Sequence, residues 1–255
     1  MMDPRRDFAE KLRGGKPLAG VFVKSRDPAH VEILALAGFD FVVIDAEHSA
    51  FGRADIAAMM IAARAGGIAA LVRIPPDEPG WIGMCLDAGA AGIMVPQVPD
   101  AEAARDLARR MRFGPGGSGF SPSTPAALYG ARGIDGHLAA RTDETVLVCQ
   151  IEAPAAVKNS GDIAAVPGVD ALLVGPVDLA VSAGFTDPAA AEVAEMTRKV
   201  IEGTKRTPAA AGLFLSDTAL IPAWQEAGAT LFITGTDQGF LSSAARRARP
   251  DFGNA

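Results

Sequence analysis

Three features of the 255-residue sequence predict an α/β fold, a (β/α)8 barrel that occupies residues 1–255 as one domain. Short apolar runs recur that are typical of strands buried on both faces of a parallel sheet. Several of these runs follow a glycine that can end a helix, as in Ala37-Gly38-Phe39-Asp40 before Phe41-Val42-Val43-Ile44. Eight such strands in about 250 residues is the number that this barrel requires.

The predicted strands are spread over almost the whole chain. They are Leu18–Val23, Phe41–Ile44, Ala69–Val72, Gly92–Val95, Val146–Ile151, Ala171–Val174, Ala209–Phe214 and Leu231–Ile233. A doubly wound open sheet is the competing architecture. No Gly-x-Gly-x-x-Gly sequence follows the first strand, so the nucleotide-binding version of that fold lacks its usual signature.

Composition excludes several classes of function. A formal charge of −6 and a pI near 5.1 give no electrostatic basis for binding nucleic acid. No apolar stretch reaches about 18 residues, so no membrane span is expected. Cys85 and Cys149 lie in apolar runs and are expected to be reduced core residues. With no signal peptide evident after Met1, these features favour a cytoplasmic protein.

Acidic residues end two consecutive predicted strands. Glu152 follows the fifth strand and Asp178 follows the sixth. A carboxylate at the end of a buried strand is costly unless a cation or hydrogen bonds compensate it, and hard divalent cations prefer oxygen ligands. For either residue alone the favoured interpretation would be structural: Glu152 capping a helix, or Asp178 pairing with an arginine. Their repeated placement favours a metal site.

The ends of the second and third strands supply a base and a cation. His48 follows the second strand with acidic neighbours that could raise its basicity, although a loop histidine bonded to a backbone carbonyl is an equal alternative. Arg73 ends a buried run and needs an anion, which could be Asp45 or a bound carboxylate or enolate oxygen. His30 and His137 are expected to be surface or packing residues. The set suits chemistry that forms an enolate.

These residues lie in motifs that resemble the HpcH/HpaI class II pyruvate aldolases, from about Leu18 to Gly239. The motifs are Ala37-Gly38-Phe39-Asp40, Ile44-Asp45-Ala46-Glu47-His48, Val72-Arg73, Leu86-Asp87-Ala88-Gly89-Ala90, Val95-Pro96-Gln97-Val98, Gln150-Ile151-Glu152, Ala156-Val157-Lys158-Asn159 and Gly175-Pro176-Val177-Asp178-Leu179. The resemblance implies a phosphoenolpyruvate/pyruvate-binding type of (β/α)8 barrel, typically a hexamer built as a trimer of domain-swapped dimers. It also implies Mg²⁺, Mn²⁺ or Co²⁺ as cofactor and reversible retro-aldol cleavage of a 4-hydroxy-2-oxoacid to pyruvate and an aldehyde.

Roles follow from the resemblance residue by residue. Glu152 and Asp178 would hold the metal, and His48 would accept the proton, directly or through a water on the metal. Asp87 would raise the basicity of His48. Arg73 would stabilise the enolate, and Asp45 would orient Arg73 and His48. The residues expected to contact the substrate or line its pocket are Gln150, Val177, Asp178, Phe22 and Leu215.

Two departures from the family pattern bear on specificity. The usual Gly-x-Arg-Gly appears as Gly116-Gly117-Ser118-Gly119, and the usual Glu-His-Gly or Glu-His-Ala appears as Glu47-His48-Ser49. Without the arginine, the glycine-rich loop 113–122 should not favour a second carboxylate, so a neutral or less acidic substrate is expected. The loop itself is predicted to be flexible and to close over the metal face.

Other functions remain as alternatives. A relative of the citrate-lyase β subunit would cleave an acyl-CoA, but such a substrate would require basic residues near the loop, where Ser118 stands. A barrel that only binds oxoacids is a non-catalytic alternative. A class I aldolase would need a lysine for a Schiff base, and Lys24 is the lysine that lies just past a predicted strand.

Overall fold

A computed structural model describes residues 3–250 and shows eight parallel strands closed into a barrel. Each strand pairs with the next in sequence, and the eighth pairs with the first. The predicted (β/α)8 barrel is therefore confirmed. The strands are β1 Leu18–Val23, β2 Phe41–Asp45, β3 Ala69–Arg73, β4 Gly92–Val95, β5 Val146–Ile151, β6 Ala171–Val174, β7 Ala210–Phe214 and β8 Leu231–Thr236.

Helices follow the strands and surround the barrel. They are α1 Pro4–Arg13, α2 Ala29–Leu36, α3 Arg53–Gly66, α4 Trp81–Ala88, α5 Ala101–Arg110, α6 Gly133–Asp143, α7 Pro154–Ala164, α8 Pro176–Ser182, α9 Ala191–Thr204, α10 Ile221–Ala227 and α11 Asp237–Ala248. Short 3-10 helices at Pro125–Gly130 and Thr218–Leu220 complete the regular structure. Within residues 3–250, no helix is both long enough and apolar enough to span a bilayer.

The core has two layers because successive side chains of a strand point to opposite faces of the sheet. One layer fills the barrel interior and includes Phe22, Phe41 and Leu71. The other layer lies between strands and helices and contains the buried, unpaired Cys85 and Cys149. Both cysteines are thus apolar core residues, as predicted.

Helix α1 closes the amino end of the barrel. Phe8 packs against Phe41 with ring centroids 5.0 Å apart, and Leu12 is buried beside it in the interior layer. At the end of α1, the Arg13 guanidinium lies 2.8 Å from the carboxylate of Asp170, which also accepts a hydrogen bond from the Leu147 backbone. These contacts leave the carboxyl end of the strands as the end at which to look for a site.

The glycine-rich segment 113–122 lies at this same amino end, contrary to the predicted lid. Ser118 Oγ donates to the carbonyl of Arg110 at 2.7 Å, at the last residue of α5. The Phe113 ring lies under the guanidinium of Arg141. Arg141 is near the end of α6 and five residues before the start of β5, so it lies at the amino end of the barrel. Helix α5 runs from the carboxyl end of the barrel back to the amino end. The segment 113–122 follows α5 and so begins at the amino end, where it cannot cover the predicted metal site of its own barrel.

The contact between Gly20 of β1 and the Phe41 ring of β2 allows a test of the packing inside the barrel. A Cβ atom at Gly20 would lie 2.3 Å from Cζ of Phe41, so Gly20→Ala must displace that ring. We expect a loss of about 1–3 kcal/mol in the free energy of unfolding, as is typical for an overpacked core. Urea denaturation measures this loss. The control, Gly119→Ala, has no atom within 4 Å of the new methyl and should change stability by less than about 0.5 kcal/mol.

Candidate active site

A buried ion pair joins the ends of β2 and β3. Asp45 and Arg73 are register partners in the sheet, and their side chains form a two-bonded pair. Arg73 Nε donates to Asp45 Oδ1 at 2.9 Å, and Nη2 donates to Oδ2 at 2.8 Å. Burial alone would raise the pKa of Asp45, but the hydrogen bonds and charge of Arg73 outweigh it and hold the pKa below its ordinary value. Asp45 is thus a fixed anion.

Glu47 links this pair to His48. Its Oε2 lies 3.3 Å from Arg73 Nη1 and 3.6 Å from His48 Nε2. The backbone N–H of His48 donates to Asp45 Oδ1 at 3.2 Å, which fixes the start of the loop. Burial raises the pKa of Glu47 despite the opposing charges of Arg73 and His48. From the sequence, Glu47 was only an acidic neighbour; the structure shows that it contacts both groups.

Asp87, in contrast, does not meet His48 within one chain. It lies near the end of α4, just before β4, and therefore at the amino end of the barrel, whereas His48 follows β2 at the carboxyl end. The Asp87 carboxylate is 2.8 Å from Arg141 Nη2. Burial raises the pKa of Asp87, and the adjacent Arg141 only partly opposes that shift. The expectation that Asp87 raises the basicity of His48 is not met inside a single barrel.

The ends of β5 and β6 bring Glu152 and Asp178 together. Both carboxylates approach Gly175, where an added Cβ would lie 3.0 Å from Glu152 Oε1 and 3.6 Å from Asp178 Oδ2. The Gln150 amide donates to Glu152 Oε1 at 2.8 Å, and the Gln97 backbone N–H donates to Oε2 at 2.9 Å. Gln97 has φ of 56°, a strained conformation for a residue other than glycine. The backbone is thus bent to hold one carboxylate.

A cavity of about 160 Å³ opens between these two groups of residues, roughly the volume of five liquid waters. Residues predicted from the sequence that line it are Phe22, His48, Arg73, Gln150, Val177 and Asp178. Glu152 lies on the neighbouring cavity, which also contains Asp178. The residues that also line the cavity, but to which the sequence analysis gave no place in the site, are Lys24, Leu173, Gly175, Pro176, Phe214 and Thr236.

Leu215 does not line this cavity, contrary to the prediction. Phe214 faces the barrel interior, and the alternation of a strand turns its neighbours Leu213 and Leu215 toward the helices. Leu215 lines an adjoining cavity of about 460 Å³, which shares Pro176, Val177 and Phe214 with the first and is also lined by Trp224 and residues of α9.

Comparison with known proteins agrees with this geometry. The family model described as HpcH/HpaI aldolase/citrate lyase matches residues 18–244. The chain belongs to this family. A hydroxypyruvate/pyruvate aldolase of Roseovarius nubinhibens is 35% identical over 248 residues, covering 97% of this chain and 96% of the relative. A 4-hydroxy-2-oxo-heptane-1,7-dioate aldolase of Escherichia coli is 29% identical, covering 96% and 94%.

Solved structures support the same assignment. An HpcH/HpaI aldolase/citrate lyase family protein from Burkholderia cenocepacia superposes with a TM-score of 0.88 at 32% identity, covering 95% of this chain and 97% of the other. The citrate lyase β subunit of M. tuberculosis is 16% identical with a TM-score of 0.56, which shows a shared fold and nothing more.

The donor set of this aldolase fits a divalent cation. Burial and the nearby Asp178 charge raise the pKa of Glu152 to about 7, and the Gln97 hydrogen bond and the charge of Arg73 only partly oppose that shift. The buried Oε1 of Gln150 also lacks a hydrogen-bond partner. Within residues 3–250 no three His, Cys, Asp or Glu side chains form a ligand cluster. Two carboxylates with open positions suit Mg²⁺, which usually retains several waters and binds substrate oxygens.

The raised pKa of Glu152 predicts an unusual pH dependence for the metal-free protein. Below about pH 4.5 the carboxyl is protonated in both states, and above about pH 7 it is ionised in both. Between these values only the unfolded state has released the proton, so stability falls as the pH rises. The full penalty is roughly 2–4 kcal/mol.

Glu152→Gln should remove this penalty. The variant should gain little stability near pH 4 and about 2–4 kcal/mol near pH 8, relative to the parent. Urea denaturation in the presence of a chelator measures the difference. Glu202→Gln alters an exposed carboxylate on α9 and should show no such trend. A difference that stays constant with pH would contradict the account of Glu152.

Proposed function

We propose that the chain is a metal-dependent pyruvate aldolase that cleaves a 4-hydroxy-2-oxoacid to pyruvate and an aldehyde, and catalyses the reverse condensation. The observation that carries the proposal is the pair Glu152 and Asp178, which form no ion pair with a cation among residues 3–250, next to a cavity with His48 and Arg73. The names of the relatives support pyruvate as the common product. Mg²⁺, Mn²⁺ and Co²⁺ are the candidate cations, and the buried thiols of Cys85 and Cys149 accord with a cytoplasmic location.

The metal would be held by Glu152 and Asp178, with Gln150 orienting Glu152 through its amide. A divalent cation supplies Lewis acidity there, which polarises the 2-oxo group of pyruvate. The backbone around Val177 and Asp178 and the ring of Phe22 would bound the pyruvate half of the substrate. The Arg73 guanidinium lies 4.5 Å above the Phe22 ring, so the ring also limits the movement of that cation.

Arg73 and His48 would handle the charge and the proton. Arg73 donates to Asp45 through Nε and Nη2, and its Nη1 lies 3.3 Å from Glu47. The guanidinium also lines the cavity, where it would stabilise a negative oxygen. His48 would take the proton from the 4-hydroxyl group as the bond between C3 and C4 breaks. Glu47, 3.6 Å from Nε2, would stabilise the imidazolium that results. Proton addition at C3 then completes pyruvate.

An acyl-CoA lyase is the second candidate function. Its support is the shared family, which includes citrate lyases, and the shared fold. The close relatives are named as aldolases of small acids, and the site cavity is compact. A barrel that binds oxoacids without turnover would leave the positions of His48, Arg73 and the two carboxylates without a purpose. The aldolase is therefore the function that the geometry supports best.

Exchange of the methyl protons of pyruvate in D₂O tests the proposal, since it requires enolate formation but no aldehyde. We expect exchange with Mg²⁺ or Mn²⁺ and none after chelation. Glu152→Ala and Asp178→Ala should abolish exchange while the protein stays folded. Glu202→Ala, which removes an exposed carboxylate, serves as the control. Failure of the metal-loaded parent to exchange, or a covalent adduct with pyruvate trapped by borohydride, would overturn the proposal.

We also propose that the aldolase acts as a homo-oligomer, a hexamer of domain-swapped dimers in keeping with the resemblance. Asp87 and the 113–122 segment lie at the amino end of their own barrel, so only a neighbouring copy could bring them to His48. Helix α11 supports exchange between copies. Residues 241–250 are all exposed, and Leu241 keeps 63% of its surface accessible.

Mixing two inactive variants tests this arrangement. If Asp87 serves His48 of another copy, Asp87→Asn and His48→Gln should each lose most of kcat alone. Subunits mixed after denaturation and refolded together should recover part of the activity, because some sites then combine two unaltered residues. A mixture as inactive as its components would contradict an intersubunit pair. Mixing His48→Gln with Glu152→Gln is the control, because both residues lie in the same barrel and no site can be complete.

A further inference from the structure

Lys24 lies at the mouth of the site, and the proposed reaction gives this lysine no role. It is the first residue after β1, and its side chain lines the same cavity as His48 and Arg73. About a quarter of the side chain is accessible to solvent. The ammonium group can therefore contact a ligand in the cavity without movement of neighbouring side chains.

The backbone of Lys24 is fixed independently of its side chain. The Lys24 N–H donates to Asp237 Oδ1 at 2.9 Å, and the Ser25 N–H donates to Oδ2 at 3.0 Å. His30 Nδ1 also lies 2.8 Å from Oδ2. Asp237 is buried at the start of α11, so it ties the loop after β1 to the neighbouring strand end. This fixed backbone delivers the lysine to one region of the cavity.

The ammonium group is only partly engaged. Among residues 3–250, its ion-pair partner is Asp45, with Nζ 3.3 Å from Oδ2. That oxygen already accepts a shorter bond of 2.8 Å from Arg73. An ammonium has three donors, so at least two can point elsewhere. Asp45 would remain compensated by Arg73 if Lys24 turned to a substrate.

The position of Lys24 in the barrel indicates which part of the substrate it would meet. In a closed eight-stranded barrel, β1 lies four strands away from β5 in either direction, so Lys24 faces Glu152 across the mouth. If the oxoacid half is held at the ends of β5 and β6, the aldehyde half extends toward β1 and β2. His48 and Lys24 stand at those two strand ends.

We infer that Lys24 is a specificity-determining residue that binds a carboxylate on the aldehyde half of the substrate. The inference rests on the proposed aldolase function and adds a substrate class: short aldehydes that carry a carboxylate close to the carbonyl. A cavity of about 160 Å³ favours a compact partner of this kind. The expectation of a neutral or less acidic substrate, drawn from the missing arginine at Ser118, is revised by this inference, because Lys24 supplies a cation within the same barrel.

Condensation of pyruvate with two small aldehydes tests the inference. Glyoxylate carries a carboxylate, and glycolaldehyde is a neutral aldehyde of similar size. Lys24→Met keeps the length of the side chain but removes the charge. We expect kcat/KM for glyoxylate to fall about tenfold to a hundredfold, as for the loss of a charge-assisted hydrogen bond, and kcat/KM for glycolaldehyde to fall less than about threefold.

Two further variants make the test specific. Lys24→Arg should restore much of the preference for glyoxylate, because it retains the cation. Lys199→Met removes an exposed lysine of α9 and should leave the ratio of the two kcat/KM values unchanged. Thermal unfolding of each variant establishes that it is folded.

The results separate this inference from the aldolase proposal. Pyruvate exchange in D₂O needs no aldehyde, so Lys24→Met should retain exchange, whereas absence of exchange in the parent overturns the aldolase function itself. If Lys24→Met lowers kcat/KM equally for both aldehydes, or lowers neither, Lys24 does not recognise the carboxylate and the inference is wrong. An equal fall together with lost exchange would instead assign Lys24 to support of Asp45 and Arg73.

Discussion

The buried pair of Asp45 and Arg73 is the interaction on which the site depends. Removing one partner of such a pair typically costs about 3–5 kcal/mol, because an uncompensated charge remains buried. Asp45 accepts hydrogen bonds from Arg73 and from the His48 backbone and forms an ion pair with Lys24, while Arg73 lies near Glu47 and over the Phe22 ring. A change in either residue therefore displaces the base, the cation and the pocket wall together. Catalytic geometry on the β1–β3 side is built outward from this pair.

The cavity is divided into two halves of different electrostatic character. On the β1–β3 side, Asp45 and Glu47 lie beside the cations Arg73 and Lys24. On the β5–β6 side, Glu152 accepts hydrogen bonds from two neutral groups and lies near the charge of Asp178, and the pKa of Glu152 is raised to about 7. Under the proposed function, a divalent cation would restore balance on that side alone. This asymmetry would orient the substrate, with its chelating oxoacid half toward β5 and β6.

Much of the fold could be predicted because strands of a parallel barrel are buried on both faces. Such strands appear as short apolar runs, and β1, β4, β5 and β6 have the bounds that the sequence predicts. Strand ends also point to function, since side chains following parallel strands meet on one face. That rule brought His48, Arg73, Glu152 and Asp178 together correctly, and applied to Lys24 it would have placed this lysine in the site.

The family resemblance misplaced three features of the site within a single barrel: Asp87, the segment 113–122 and Leu215. Asp87 stands two residues before Gly89, the helix-ending glycine that precedes β4, so its position at the amino end was readable from the sequence. The segment 113–122 follows a helix that has already returned to that end. Leu215 follows Phe214 by one residue, and the alternation of a strand sends the two side chains to opposite faces. In each case the resemblance implied a role for the residue but did not show at which end of the barrel, or on which face of the strand, the residue lies.

The opposite ends of the barrel perform separate tasks, and this separation bears on specificity. The amino end buries His137 between Phe113 and Phe120, beside Arg141 and Asp87, so it presents a rigid aromatic and ionic surface. The carboxyl end holds the proposed reacting groups, where Asp237 fixes the Lys24 backbone and the Lys24 side chain lies 3.3 Å from Asp45. A change at Lys24 removes this one contact of Asp45 and leaves its two hydrogen bonds to Arg73. Under the proposed function, a change at Lys24 would therefore alter recognition of the aldehyde while Asp45 and Arg73 remain paired.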